Sequence, residues 1–280
     1  MTTIVRASTL SAYADCPRRA AARMMRGEIE AAGHALRSLP PGIGAAVGTA
    51  VHAAAAVTLR ERLRTGSLPP ADDARDAARD ALREAIAGEV VFDRDTPASD
   101  AAEVQALRMA DAWRDGIAPQ VEPVAVEERL EAEALPGLVL SGQSDVIARE
   151  AGRVRDLKTG ARRGHHRPQL GAYSLLARTH GIDVREAAED FVARVAVAKP
   201  QPPAETHLHD VIGAEVAAMA VLRRIDADIR AFRFGDPERG VAPGDPWAFL
   251  ANPMSKLCSD RWCPAWGTSW CREHRTKEEP

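Results

Sequence analysis

The stretch Leu140–Gly160, LSGQSDVIAREAGRVRDLKTG, decides the fold. Apolar residues run through Leu138, Val139 and Leu140 to Val146 and Ile147, and resume at Val154 and Leu157. Glycine and charge interrupt them around Glu150–Gly152. Short β-branched runs on either side of such a break predict two strands joined as a hairpin. Alternation along a strand puts residues i and i+2 on one face, so Asp156 and Lys158 project together. Asp145 lies on the strand before. Two carboxylates and an ammonium on one face are costly as mere core, and suited to holding a divalent cation beside a phosphate.

Outward from the hairpin, the chain has the bulk of a soluble globular protein. Its 280 residues, 45% hydrophobic and 28% charged, can bury one large core. No apolar window is read as reaching the roughly 18 uncharged residues of a membrane span, and the start MTTIVRASTL has no secretory apolar run. A cytoplasmic protein without a membrane partner is expected. The net charge of −3 gives no global sign of nucleic acid. Basic groups are clustered instead, at Arg18–Arg19, at Arg162, Arg163, His165, His166 and Arg167, and at Arg272, His274, Arg275 and Lys277. Each cluster alone also fits a solvated surface.

Ser8 opens a helical segment over 8–26 that Pro17 breaks, and residues 32–42 read as a loop. Residues 43–65 are a helix on which Gly48 and His52, four apart, share a face. A lone histidine among alanines is usually a core or boundary residue, so its role needs further support. Helices over 71–88 and 98–115 are read as scaffold or as a cap. Strands are expected over Val124–Ala134, Gly137–Arg149 and Arg153–Lys158, with Glu127, Glu128 and Glu131 as candidates to face the site. A helix over 166–180 places Gln169 and Tyr173 on one side. Phe191–Ala198 and His207–Val211 read as strands, and 212–232 as a long helix. The expectation is an α/β single domain with a central mixed β-sheet flanked by helices. Residues 1–120 form its mainly helical part, 121–235 its catalytic core and 236–280 a cysteine-rich end.

Gly48-Thr-Ala-Val-His52, Ser141-Gly-Gln-Ser-Asp145, Asp156-Leu-Lys-Thr-Gly160 and Gln169-Leu-Gly-Ala-Tyr173, in this order, resemble the RecB-like branch of the PD-(D/E)XK nuclease superfamily. The resemblance runs from Ser8 to Cys271. It implies a restriction-endonuclease-like core with an N-terminal helical elaboration. It further implies a DNA phosphodiesterase, with Asp145, Asp156, Lys158, Gln169 and Tyr173 catalytic. His52, Asp145, Asp156 and the Leu157 carbonyl would hold Mg²⁺ or Mn²⁺. Water positioned by Lys158 would attack the phosphorus. Read without the resemblance, Asp156 and Lys158 also fit a surface ion pair, which leaves Asp145, His52, Gln169 and Tyr173 unexplained.

Four cysteines complete the pattern: Cys16 alone, then Cys258-x4-Cys263-x7-Cys271. Disulfides are not expected in the cytoplasm, and four thiolates can bind zinc or a [4Fe–4S] cluster. Tyr13-Ala-Asp-Cys-Pro17 followed by a terminal cysteine triplet resembles the iron–sulfur nucleases, including CRISPR-associated exonucleases and helicase–nuclease domains. That implies a [4Fe–4S] staple between the chain ends, with zinc the lesser alternative. Trp262, Trp266 and Trp270 are read as a solvent-excluding shell rather than as base-stacking platforms. Arg18, Arg19, Arg162 and Arg163 are candidate DNA contacts. The function expected is an exonuclease in recombination, repair, phage replication or CRISPR adaptation. A non-catalytic DNA-end-binding subunit and an endonuclease stand as alternatives. No G-x-x-x-x-G-K-[ST] loop is present, so unwinding would fall to a helicase or other recombination or CRISPR partner.

Overall fold

The computed structural model describes residues 2–271. Strand β1 (Thr3–Arg6) leads into α1 (Ala7–Asp15), α2 (Pro17–Met24) and α3 (Arg26–Ala31). Pro17 starts α2 as its first residue, where a missing N–H costs nothing. A loop then reaches α4 (Ile43–Thr65), α5 (Ala71–Ala85) and α6 (Ser99–Gly116). The strands β2 (Pro123–Val126), β3 (Arg129–Leu135), β4 (Leu138–Gln143), β5 (Val146–Ala148) and β6 (Arg153–Gly160) follow. Helix α7 (Arg167–Thr179), strands β7 (Glu186–Ala193) and β8 (Glu205–His209), and helix α8 (Val211–Phe234) complete the regular structure.

The hairpin forms as expected: β5 and β6 pair antiparallel across a turn at Glu150–Gly152. The two long strands expected before it do not. Each is broken, and its halves enter different sheets. One sheet has the order β1-β4-β3; the other has the order β2-β5-β6-β7-β8. The chain therefore changes sheet twice, near Glu127 and near Asp145. Glu127 takes a left-handed φ of 50°, a conformation that lets a strand turn away but that non-glycine residues rarely adopt. Its N–H donates to the Asp145 carbonyl at 3.1 Å, so the two switch points are tied together. Strand β7 begins earlier than expected, because Glu186 to Ala193 all find parallel partners on β6.

The five-stranded sheet separates two apolar layers. Val146, Ala148, Leu157 and Val192 pack with α4, α5 and α6 on one side. Ile147, Val154 and Ala187 pack with α1, α7 and α8 on the other. Helix α4 meets the length and composition of a membrane span, which corrects the expectation that no window comes close; 61% of that window is buried inside the protein.

Candidate active site

Four elements converge where the chain changes sheet. Helix α4 supplies His52, the gap between β4 and β5 supplies Asp145, β6 supplies Asp156 and Lys158, and α7 supplies Gln169 and Tyr173. Close approach of α4 to β6 requires Gly48: a Cβ there would lie 2.7 Å from Thr159 Oγ1. Gly142 is needed likewise, since a Cβ would meet Leu176 at 2.7 Å and Tyr173 at 3.1 Å.

His52 Nδ1 lies 2.7 Å from Asp145 Oδ1, and the Leu157 N–H donates to Asp145 Oδ2 at 2.5 Å. Lys158 Nζ lies 2.6 Å from Asp156 Oδ2. Gln169 Nε2 donates to the Tyr173 hydroxyl at 2.8 Å and reaches Asp156 Oδ1 at 3.5 Å. The motif residues expected to act together are thus brought together.

The charges balance unevenly. Burial drives the Asp156 pKa up to about 6; Lys158 opposes that rise and the neighbouring Asp145 adds to it. Burial also works to raise Asp145, but His52 and Lys158 outweigh it and hold this carboxyl below its ordinary value. For His52 burial works to lower the pKa, and Asp145 overcomes it, so the ring's pKa lies above its ordinary value. Burial and the nearby carboxylates raise the Tyr173 phenol, which stays neutral at physiological pH.

Two observations bear on a divalent cation. Despite the lysine beside it, Asp156 Oδ2 accepts no hydrogen bond of good geometry, which leaves a buried oxygen lone pair unspent. Asp145 engages Nδ1 of His52 and leaves Nε2 as the ring nitrogen for a cation, an orientation carboxylates commonly give metal-binding histidines. The donor set therefore fits a hard cation. Among the described residues, no three His, Cys, Asp or Glu side chains already converge closely enough to chelate one.

The cysteine end is tied down independently of any cluster. Arg18 Nε donates to the Phe249 carbonyl at 3.0 Å, Trp270 Nε1 donates to the Arg18 carbonyl at 3.0 Å, and Ser255 Oγ donates to Asp15 at 2.6 Å. Cys16, Cys258, Cys263 and Cys271 form no disulfide with one another. Burial first, and then the fields of Cys263, Cys16 and Cys271, push the Cys258 thiol up to about 11. Four thiols are the donor type a thiolate-bound cluster uses, but among the described residues no three of them already converge as a metal site.

Arg18 and Arg19 correct the sequence reading. Both are buried, at 2% and 4% exposure. Arg18 stacks on Trp247 and Arg19 pairs with Asp15 at 2.7 Å, so neither is free to contact DNA. Arg162 and Arg163 are exposed on the loop after β6. The basic group from Arg272 to Lys277 lies outside the described residues. The three tryptophans differ: Trp270 is fully buried, whereas Trp262 is 38% exposed and lines a groove of about 620 Å³ with Gly42, Gly48, His52, Thr159 and Arg194.

Sequence reasoning missed Glu189 on β7. It is fully buried, stands in register with Asp156, and neither of its carboxylate oxygens has a hydrogen-bond partner. Its signal was the adjacent acidic pair Glu189–Asp190 between apolar residues in the strand Glu186-Ala-Ala-Glu-Asp-Phe-Val-Ala193.

An α/β core with one buried and one half-buried carboxylate, a lysine and a histidine at a break between sheets is the arrangement of a nuclease. The chain belongs to the PD-(D/E)XK nuclease superfamily, whose family model matches residues 6–272. A solved structure named as a candidate exonuclease from Eubacterium rectale is similar at 12% identity and a TM-score of 0.52, covering 91% of this chain and 87% of that one. A phage-related exonuclease from Haemophilus somnus matches at 14% identity and a TM-score of 0.24, over 67% of this chain and 93% of that one. The first likeness speaks for the fold, and the second carries no weight. No curated protein matches in sequence.

Proposed function

We propose that this protein is a metal-dependent DNA exonuclease. The observation that carries the reading is the pair of half-buried Asp145 and buried Asp156, with Lys158 and His52 each within 2.7 Å of one carboxylate. His52 Nε2, Asp145, Asp156 and the Leu157 carbonyl would hold Mg²⁺ or Mn²⁺. A bound divalent cation supplies positive charge to the scissile phosphate and acidity to a water. Lys158 orients the attacking water and neutralises charge on the phosphate oxygens. Gln169 and neutral Tyr173 fix the position of Asp156. The groove from His52 to Trp262 is open to a single DNA strand, and Arg162 and Arg163 can meet its phosphates.

Cys16, Cys258, Cys263 and Cys271 are read as ligands of a [4Fe–4S] cluster, with zinc the lesser alternative. The placement is cytoplasmic, and the pathway one of recombination, repair, phage replication or CRISPR adaptation, with a helicase or CRISPR protein as partner. An end-binding subunit without catalysis is disfavoured by the intact Asp145, Asp156 and Lys158. An endonuclease is the remaining alternative.

The test compares end-labelled linear, single-stranded and covalently closed circular DNA in Mg²⁺, in Mn²⁺ and in EDTA. Degradation of linear DNA only, abolished by EDTA, is expected. Cleavage of the circle reassigns the protein as an endonuclease, and binding without cleavage in any metal makes it an end-binding subunit. For the cluster, protein purified without oxygen should be brown; colourless protein carrying one zinc overturns that assignment.

A further inference from the structure

The outstanding anomaly in the molecule is Glu189. A fully buried carboxylate with neither oxygen hydrogen-bonded by a protein group is rare, and it leaves both oxygens available to a partner. Strand register places it beside the site: Asp156 pairs with Glu189 and Lys158 with Phe191 across β6 and β7. Glu189 is therefore on the same face as Asp156 and Lys158, and diagonal to the lysine, within the reach of a long side chain. Burial raises the Glu189 pKa, and the cations opposing that rise are Arg163, Lys158, His207 and His165. His207, its partner on β8, is already 3.1 Å from Glu205.

Lys158, in contrast, has its ammonium 2.6 Å from the Asp156 oxygen that a divalent cation would take. Ammonium and cation on that one oxygen would repel strongly at such a separation. The repulsion is relieved if the lysine leaves Asp156 while staying near enough to serve the reaction. Among the described residues, Glu189 is the carboxylate on this face with both oxygens unspent.

We propose that Glu189 is a positioning residue that receives the Lys158 ammonium when a divalent cation occupies Asp156. The exchange swaps one buried ion pair for another. It leaves no carboxylate stranded, and it draws the ammonium off the cation's oxygen while keeping it on the same face, in reach of the reacting phosphate. The inference rests on the metal-dependent reading of the site and adds to it a second resting place for the lysine.

The test is Mn²⁺ binding by titration calorimetry to the full chain, without DNA. Glu189→Gln keeps Lys158 on Asp156 and should weaken Mn²⁺ binding about tenfold. In a Lys158→Met background, with no ammonium to displace, the same Glu189→Gln change should alter affinity by less than about twofold. Glu189→Asp, which keeps the charge, should restore part of the loss, and thermal unfolding checks that each variant is folded. An equal loss in both backgrounds, or no loss in either, overturns the exchange. So does a second Mn²⁺ per chain that Glu189→Gln removes, because Glu189 would then be a ligand. Mn²⁺ binding that Asp145→Ala abolishes but Glu189→Gln leaves alone defeats the exchange and spares the metal-dependent reading. Wild-type protein that binds no Mn²⁺ defeats both.

Discussion

Strands β6 and β7 carry buried charge on both faces, and the two faces treat it in opposite ways. On the α4 face, Arg155 and Asp190 are only 4% and 2% exposed at the side chain and are fully engaged. Two guanidinium nitrogens reach the two carboxylate oxygens at 2.7 and 3.1 Å, and Thr206 closes the set. On the α7 face, one residue along each strand, Asp156 and Glu189 are as deeply buried but short of donors. A buried charge left unpaired costs several kcal/mol, whereas a well-paired one can break even. The first face is finished as structure, and the second is held open for what it binds.

The contrast can be broken from the paired side first. Asp190→Ala strands the Arg155 guanidinium and should cost about 3–5 kcal/mol in chemical denaturation. The variant that remains folded should keep its Mn²⁺ affinity, since Asp190 is engaged with Arg155 and Thr206 and not with His52 or Asp145, with which it lines a small cavity; a large loss of affinity would show that the two faces are coupled. Asp156→Asn attacks the open side. It should lower cleavage about 10²–10³-fold, or roughly 3–4 kcal/mol in barrier, while the fold survives. Full activity in that variant would sink the catalytic assignment.

The same variant sharpens the comparison through pH. Asp156 has its folded pKa raised from 3.8 to about 6. A raised pKa contributes stability below about pH 4 that is lost as pH rises through about 6. In EDTA, the wild type should therefore lose about 2–3 kcal/mol relative to Asp156→Asn between pH 4 and pH 7. A difference that stays flat over this range means that Asp156 ionises without penalty. The smallest effect is expected from Tyr173→Phe, which removes the 2.8 Å acceptor of Gln169 and should cost about 1 kcal/mol of stability.

The open face was partly legible in the sequence. Period-2 alternation put Asp156 and Lys158 side by side, and helical spacing paired Gln169 with Tyr173. His52 was placed by motif order, because nothing local on an alanine-rich helix points it at Asp145. Glu189 could not be found this way, since its register with Asp156 is a long-range pairing between parallel strands joined through α7. The sheet switches at Glu127 and Asp145 were hidden for a related reason. Both long strand readings have continuous β character, and only the tertiary arrangement decides where each one breaks. The buried Arg18 and Arg19 were misread because arginines beside a cysteine look alike in sequence whether they face solvent or a folded-back chain end.

Strand β1 has a consequence for solubility. It pairs in parallel with β4 from Thr3↔Leu138 to Arg6↔Ser141, and β4 is the middle strand of its sheet. Proteolytic loss of these four residues would uncover the backbone of the largely apolar strand Leu138–Gln143 and offer it to any other chain as an edge to pair with. The cleaved protein would then be prone to stick to itself through the very strand that leads into Asp145, so that clipping at the N-terminus would first be noticed as aggregation.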